Sequence, residues 1–259
     1  MEFWKYSAHG NDFLLIDNRD SSIKTDDVIF WKDICKRRLG VGADGVIFVE
    51  NSEKYDFHMR YLNADGSEVA MCGNGTRAIS HFYKNHCLAS DQTDFIFTTK
   101  SGVYRSIIEG DYVSVEMTEA YDENLVDISK LFKAHDSFYL NTGVPHCVYL
   151  VSDVEDIDVV KNGREIRNNS LFSEGVNINF ISKLKDKYAI RTYERGVEDE
   201  TLSCGTGITA AAHMLFRDIS ENRITFKSRG GELTVTRVDK SLYYGGKVNL
   251  IYKGELCLN

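Results

Sequence analysis

The sequence predicts an α+β fold of two similar lobes, on the strength of an internal repeat and of the elements that flank it. The segment Glu68-Val-Ala-Met-Cys72-Gly73-Asn74-Gly75-Thr-Arg-Ala78 aligns with Glu200-Thr-Leu-Ser-Cys204-Gly205-Thr206-Gly207-Ile-Thr-Ala210. Around both copies the pattern reads strand, Cys-Gly loop, helix, strand, turn, strand. A twofold repeat of this kind is an internal duplication rather than a solenoid. The expected lobes are residues 1–117, carrying Cys72, and 118–247, carrying Cys204, with mixed strands and one central helix in each.

Strand-like runs open the chain at Phe3 to Tyr6 and Phe13 to Asp17. A helix follows, with Thr25 as its N-cap, Trp31, Ile34 and Cys35 facing inward, and Gly40 as its terminator. Gly45 to Val49 and Tyr55 to Tyr61 read as strands, the second by clear alternation. After Cys72, Ala78, Ile79, Phe82 and Tyr83 recur at helical spacing; Phe95 to Thr98, a Lys100-Ser-Gly102 turn and Val103 to Ile107 complete the unit. Val113 to Met117 is a further strand, followed by a polar stretch from Tyr121 to Lys130. The second half repeats the plan with strands at Phe138 to Leu140, Cys147 to Val151, Val176 to Ile181 and Tyr188 to Tyr193. After Cys204, Ile208, Ala211, Ala212, Leu215 and Phe216 keep helical spacing, and Ile224 to Phe226, an Arg229-Gly-Gly231 turn and Leu233 to Val238 follow. Val248 to Tyr252 resembles Val113 to Met117 in pattern.

A chain of 259 residues with 42% hydrophobic content can bury a substantial core in one large or two smaller domains. The net charge of -8, with Lys36-Arg-Arg38 as its densest basic cluster, gives no electrostatic footprint for nucleic acid or an anionic membrane. A small-molecule partner is expected instead. The N-terminus lacks a basic segment followed by an apolar run, and no apolar stretch approaches the roughly 20 residues of a membrane span, so a cytoplasmic protein is expected. Six cysteines spread widely through a chain of this size argue for free thiols rather than a disulfide framework. His81 with His86-Cys87 lacks the spacing of a zinc site and reads as a solvated helix end, so no metal is expected.

One Cys before Gly-X-Gly is most simply a small buried hydrophobe. Two at equivalent positions, each entering a helix through glycines, point to function. Glycines let the backbone turn tightly and bare consecutive N–H groups to an anion, while the positive helix end lowers a nearby thiol pKa. Two such loops suit a carboxylate held between helix N-termini with a sulfur on either side of the adjacent carbon. One thiolate would take the α-proton as the other thiol gives one to the opposite face, and fixed N–H donors would stabilise the enediolate-like dianion.

The chain resembles the diaminopimelate epimerases, pyridoxal-independent enzymes that interconvert LL- and meso-diaminopimelate. The resemblance is carried by Ala8-His-Gly-Asn-Asp-Phe13, Gly40-Val-Gly-Ala-Asp-Gly45, Asn63-Ala-Asp-Gly-Ser-Glu-Val-Ala-Met-Cys-Gly-Asn-Gly75, Gly143-Val-Pro-His-Cys147, Gly163-Arg-Glu-Ile-Arg167, Gly175-Val-Asn-Ile-Asn-Phe180 and Tyr193-Glu-Arg-Gly196 leading to Cys204-Gly-Thr-Gly207. It implies pseudo-symmetric lobes, each a strand-rich barrel around a central helix, with the last strand, about 248–259, returning to the first lobe. It also implies a homodimer, no cofactor, and a role in lysine and peptidoglycan precursor synthesis. Matched position by position, Cys72 and Cys204 are the acid/base pair and His146 and Glu194 tune those thiols. Gly73, Asn74, Gly205 and Thr206 hold the anion, while Asn11, Asn63, Asn177 and Arg195 grip the distal end of the substrate. A second amino-acid head group needs such donors and acceptors, and Arg pairs a carboxylate bidentately.

Read without the family, the three asparagines also suit turns and the Glu194–Arg195 pair also suits a surface. The chain departs from the family at Val144, where many members have asparagine, and at Gly45, where some have a substrate-contacting glutamine. The loop from Arg195 to Cys204 is one residue longer than in well-known members. The Val144 and Gly45 departures fall on the distal end, so a sister racemase of another polar amino acid such as histidine is the alternative substrate reading. A non-catalytic ligand-binding protein or a thiol redox protein on the same fold is the alternative of another class.

Overall fold

The computed structural model describes residues 1–257; the end of the strand expected over 248–259 therefore lies outside the described residues. The chain forms two compact units, one of Met1–Val115 joined by the chain from Gly245 onward, the other of Glu116–Tyr244.

The first unit contains β1 (Glu2–Ala8), β2 (Asn11–Asp17), α1 (Val28–Cys35), β3 (Gly45–Glu50), β4 (Phe57–Asn63), a short β5 (Glu68–Val69), α2 (Gly73–Phe82), β6 (Asp94–Thr99), β7 (Gly102–Glu109) and β8 (Tyr112–Glu116). β1 and β2 are antiparallel, β2 and β3 parallel, β3 and β4 antiparallel, and β4 and β6 parallel. β6, β7 and β8 then run as an antiparallel meander. Parallel neighbours cannot be joined by a tight turn, so the β2–β3 connection carries α1 and the β4–β6 connection carries α2. β3 is consequently buried on both faces. Val46 and Phe48 pack with Trp31 and Cys35 of α1, while Ile47 and Val49 pack with Ala78, Ile79 and Phe82 of α2. This is why Gly45-Val-Ile-Phe-Val49 reads as a continuous apolar run rather than an alternation. Burying one Phe there is worth roughly 1.5–3 kcal/mol.

The second unit repeats the order: β9 (Asp136–Asn141), β10 (Pro145–Leu150), α3 (Val159–Arg167), β11 (Asn177–Lys183), β12 (Tyr188–Glu194), β13 (Asp199–Thr201), α4 (Gly205–Leu215), β14 (Arg223–Ser228), β15 (Gly231–Val238) and the start of β16 (Ser241–Lys247), whose residues from Gly245 belong to the first unit. Its pairings run antiparallel, parallel, antiparallel, parallel, antiparallel from β9 to β15, as in the first unit. β17 (Asn249–Glu255) then pairs antiparallel with β1. In each unit the strands wrap a central helix, α2 or α4. Ala210, Ala211 and Ala212 of α4 are all fully buried, the mark of a helix enclosed on every side. The α+β, two-lobed, duplicated architecture is the one the repeat predicts.

Several expectations are corrected. The cap of α1 is Asp27, whose carboxylate accepts from Phe30 N at 3.0 Å, not Thr25. Gly40 does not end that helix. It stops at Cys35, where Gly42 N and Ala43 N bond back to Ile34 O and Cys35 O and so satisfy its last carbonyls. Each unit also has an outer helix, and α3 has no counterpart in the sequence reading. Its Asn162-Gly163 pair is a poor helix signal. Gly163 stands there because the Tyr193 ring occupies the space of a side chain. β16 was unread for the same reason: Gly245 in its middle lies against Tyr112 and Ser114. Val248 falls between β16 and β17, and its N–H bonds Asp111 O instead of continuing a strand.

Candidate active site

The expected site residues fall into two sets, one in each unit. In the first, Cys72 caps α2 in an extended conformation, φ -136 and ψ 121, and Thr76 N closes the first turn on Cys72 O at 2.8 Å. The amides ahead of Thr76 have no partner within the helix and carry its positive end. Asn74 is buried and donates to Asn11 Oδ1 at 2.8 Å, so two expected binding residues are directly joined. Asn11 in turn donates to Asp44 Oδ2 at 2.9 Å, and the Asp12 amide donates to the same oxygen at 3.1 Å. Arg37 spans Asp44 at 2.8 Å and Asp12 at 2.5 Å, and Lys5 closes on Asp12 at 2.6 Å. Burial opposes the charge of Asp12, yet the Arg37 and Lys5 bonds outweigh it and hold its carboxyl below the usual range. On the other side of Asn74, the fully buried Arg77 donates to its Oδ1 at 2.5 Å. Asn63 ends β4 and accepts from the Tyr61 hydroxyl at 3.0 Å. A Cβ at Gly45 would strike the Tyr61 ring and Leu62 O, so that ring fills the space a longer residue at 45 would take.

In the second unit, Cys204 caps α4 with φ -121 and ψ 109, and its sulfur lies 3.4 Å from Thr206 Oγ1. Ile208 N closes the first turn on Cys204 O at 2.9 Å, and Thr142 Oγ1 donates to Thr206 O at 3.1 Å. Asn177 accepts from Arg195 N at 2.9 Å and donates to Pro145 O at 3.2 Å, fastening the Arg195 loop to the strand that carries His146. The Arg195 guanidinium donates to Glu174 O at 3.1 Å. Glu194 is raised above the usual carboxylate range by burial, which the neighbouring Thr201 hydroxyl only partly offsets. His146 is completely buried. Burial, reinforced by the nearby Arg195 charge, pushes its imidazole down to about 3, so it is neutral at ordinary pH. Its Nδ1 meets Asn179 Nδ2 at 3.0 Å.

Lys5, Asp12, Arg37, Asp44, Arg77, Asn179 and Thr192 support these sets and were not singled out by the sequence reading. Asp12, Asp44 and Asn179 all lie inside motifs quoted for the family, so polar and charged residues within such motifs were an available signal. Among the other cysteines, burial raises the thiols of Cys35 to about 11 and Cys87 to about 12, and raises Cys147 as well, which leaves them inert. Among the described residues no His, Cys, Asp and Glu side chains cluster to hold a metal ion, and no helix is long and apolar enough to cross a membrane.

The sequence model of diaminopimelate epimerase matches residues 3–122 and 138–251. A diaminopimelate epimerase of Flavobacterium psychrophilum is 39% identical over 91% of this chain and 90% of its own, and one of Methanocella arvoryzae is 35% identical over 99% and 96%. Among solved structures, a phenazine biosynthesis protein of the PhzF family from Bacillus anthracis superposes with a TM-score of 0.71 at 16% identity, covering 100% of this chain and 99% of its own. A probable proline racemase from Agrobacterium radiobacter gives 0.65 at 11% identity, covering 100% and 93%. The structural likenesses speak for the racemase-type fold, and the sequence relatives, spanning nearly the full length of both chains, show that the chain belongs to the diaminopimelate epimerase family of isomerases.

Proposed function

We propose that the chain interconverts LL- and meso-diaminopimelate without a cofactor, with Cys72 and Cys204 as a thiolate/thiol pair acting on opposite faces of the α-carbon. The observation that carries this reading is the placement of each cysteine as the N-cap of an equivalent central helix. At such a position the sulfur shares the positive helix end with the first-turn amides, which favour both a thiolate and a bound carboxylate. The amides of Gly73 and Asn74 and of Gly205 and Thr206 would hold the reacting carboxylate and the charge that develops on it. His146, as a neutral N–H donor, and Glu194 would tune the sulfurs. Asn11, Asn63, Asn177 and Arg195 would grip the distal amino-acid group. The product would feed lysine and peptidoglycan precursors, in the cytoplasm and from a homodimer.

The test is incubation of reduced protein with pure LL-diaminopimelate in deuterium oxide, without pyridoxal phosphate, with meso product and α-deuterium followed by chiral chromatography and mass spectrometry. Deuterated meso product is expected. Val144 and Gly45 favour a second substrate reading, a sister racemase of histidine. A turnover rate on free histidine above that on LL-diaminopimelate would establish it in place of the first.

A further inference from the structure

We propose that Asn179 is a positioning residue that locks His146 in its Nε2–H tautomer, so that the imidazole presents a permanent neutral donor. The sheet register brings the groups together. His146 pairs with Asn177 across β10 and β11, Val148 pairs with Asn179, and Asn179 pairs with Thr192 across β11 and β12. His146, Asn179 and Thr192 are all buried. Asn179 Nδ2 has two hydrogens and uses both: one goes to Cys147 O at 3.1 Å, the other to His146 Nδ1 at 3.0 Å. Its Oδ1 accepts from Thr192 Oγ1 at 2.9 Å. Turning the amide over would set its oxygen against the Cys147 carbonyl, acceptor on acceptor, whereas the Thr192 hydroxyl, which can donate or accept, would bond either way. The orientation of the amide is therefore fixed by the Cys147 carbonyl, a group other than the histidine. His146 Nδ1 must accept, and the ring proton must sit on Nε2. That nitrogen is buried and has no hydrogen-bond partner among the described residues, the condition of a donor kept for something outside the resting protein.

The same amide touches the cysteine loop. A Cβ at Gly207 would collide with Asn179 Oδ1 and lie 3.4 Å from Cys204 Sγ. One side chain thus fixes the imidazole and bounds the loop that carries the sulfur. The kinetic consequence rests on His146 belonging to the reactive site proposed above; the tautomer itself does not.

The experiment is nitrogen-15 NMR of the imidazoles in full-length reduced protein, with His146 assigned by its loss in His146→Gln, alongside kcat and KM on LL-diaminopimelate. In the wild type an N–H type Nε2 and an acceptor-type Nδ1 are expected. In Asn179→Asp the carboxylate demands a proton from Nδ1, the tautomer reverses, and kcat falls roughly 10²-fold with KM changed far less, the scale on which positioned acid–base groups act. Thr192→Val keeps the Cys147 anchor and should keep the wild-type tautomer. An Nδ1–H tautomer in the wild type would overturn the inference whether or not any variant folds. Full kcat in an Asn179→Asp protein whose tautomer has reversed would overturn the positioning role. Absence of epimerisation by the wild type would instead count against the proposed function and leave the tautomer result to decide this one.

Discussion

Behind Cys72 the supporting side chains are charged and reach toward solvent, whereas behind Cys204 they are neutral and sealed. In the first unit Asn74 and Asn11 are held through Asp44, Arg37, Asp12 and Lys5, with Arg37 largely exposed. In the second, Asn179, Thr192 and His146 form a hydrogen-bonded set in which no member is charged. The strand pairings and the helix N-caps are the same in both. Duplication thus preserved the backbone that places a thiol at a helix end and let the second layer diverge. That layer is where the two cysteines can acquire different chemistry.

The largest test of the comparison is to remove each sulfur in turn. Cys72→Ala and Cys204→Ala should each lower epimerisation in both directions by at least roughly 10³-fold, because a two-base reaction has no use for a lone base. Their far-ultraviolet circular dichroism should stay that of the wild type, since the change is small and at a loop. Near-normal epimerisation by either variant would end the two-cysteine scheme.

Next is the glycine that follows each loop. A Cβ at Gly75 would meet Ile47 Cδ1 at 2.9 Å, the far end of a flexible side chain that can turn aside. At Gly207 it would meet Asn179 Oδ1, which three hydrogen-bonded neighbours hold in place. Gly207→Ala should therefore cost about 3 kcal/mol and Gly75→Ala about 1 kcal/mol or less in urea unfolding, overpacking against a fixed polar atom being the worse case. Equal losses would mean that the second network is no stiffer than the first.

What the sequence disclosed follows the same division. The repeat, the central helices and the cysteine loops were legible because apolar spacing and glycine leave a local signature. The outer helix α3 was not, because Gly163 is required by a long-range contact with Tyr193 that outweighs helix propensity. Asn179 stood inside the Gly175 to Phe180 motif, yet its task was not legible for a related reason: its meaning lies in register across three strands, and an asparagine in an apolar strand looks like a blemish until its partners are known. Asp44 and Asp12 stood inside recognisable motifs, yet only their convergence on Arg37 and Asn11 gives them a task.

Acid should distinguish the two networks. The folded His146 titrates near 3 against about 6.5 when unfolded, so the unfolded chain binds the extra proton between those values. Its contribution is present above pH 6.5 and is lost as pH falls from there toward 3, at up to about 1.4 kcal/mol per pH unit. Asp12 is lowered, so its contribution is present above the ordinary aspartate value and is lost only in stronger acid. In urea unfolding between pH 6.5 and 4.5, His146→Gln should show a shallower decline than the wild type. Parallel slopes would mean that the imidazole is not neutral in the fold.

The smallest effect is expected at Arg37, and its smallness is informative. Arg37 is 60% exposed, so its ion pairs with Asp12 and Asp44 are screened by water and salt, and Arg37→Ala should cost no more than about 1 kcal/mol of stability. Its effect on the substrate should be disproportionate to that. Asp44 fixes Asn11 by one hydrogen bond, and without Arg37 only the Asp12 amide still anchors that carboxylate, so its hold on the Asn11 amide loosens. KM for LL-diaminopimelate should then rise several-fold with kcat nearly unchanged, and the wild-type KM should itself rise with salt while that of the variant does not. A salt-independent wild-type KM would place Asn11 under the control of the buried Asn74–Arg77 side of the chain instead, and the first unit would then be as sealed in function as the second.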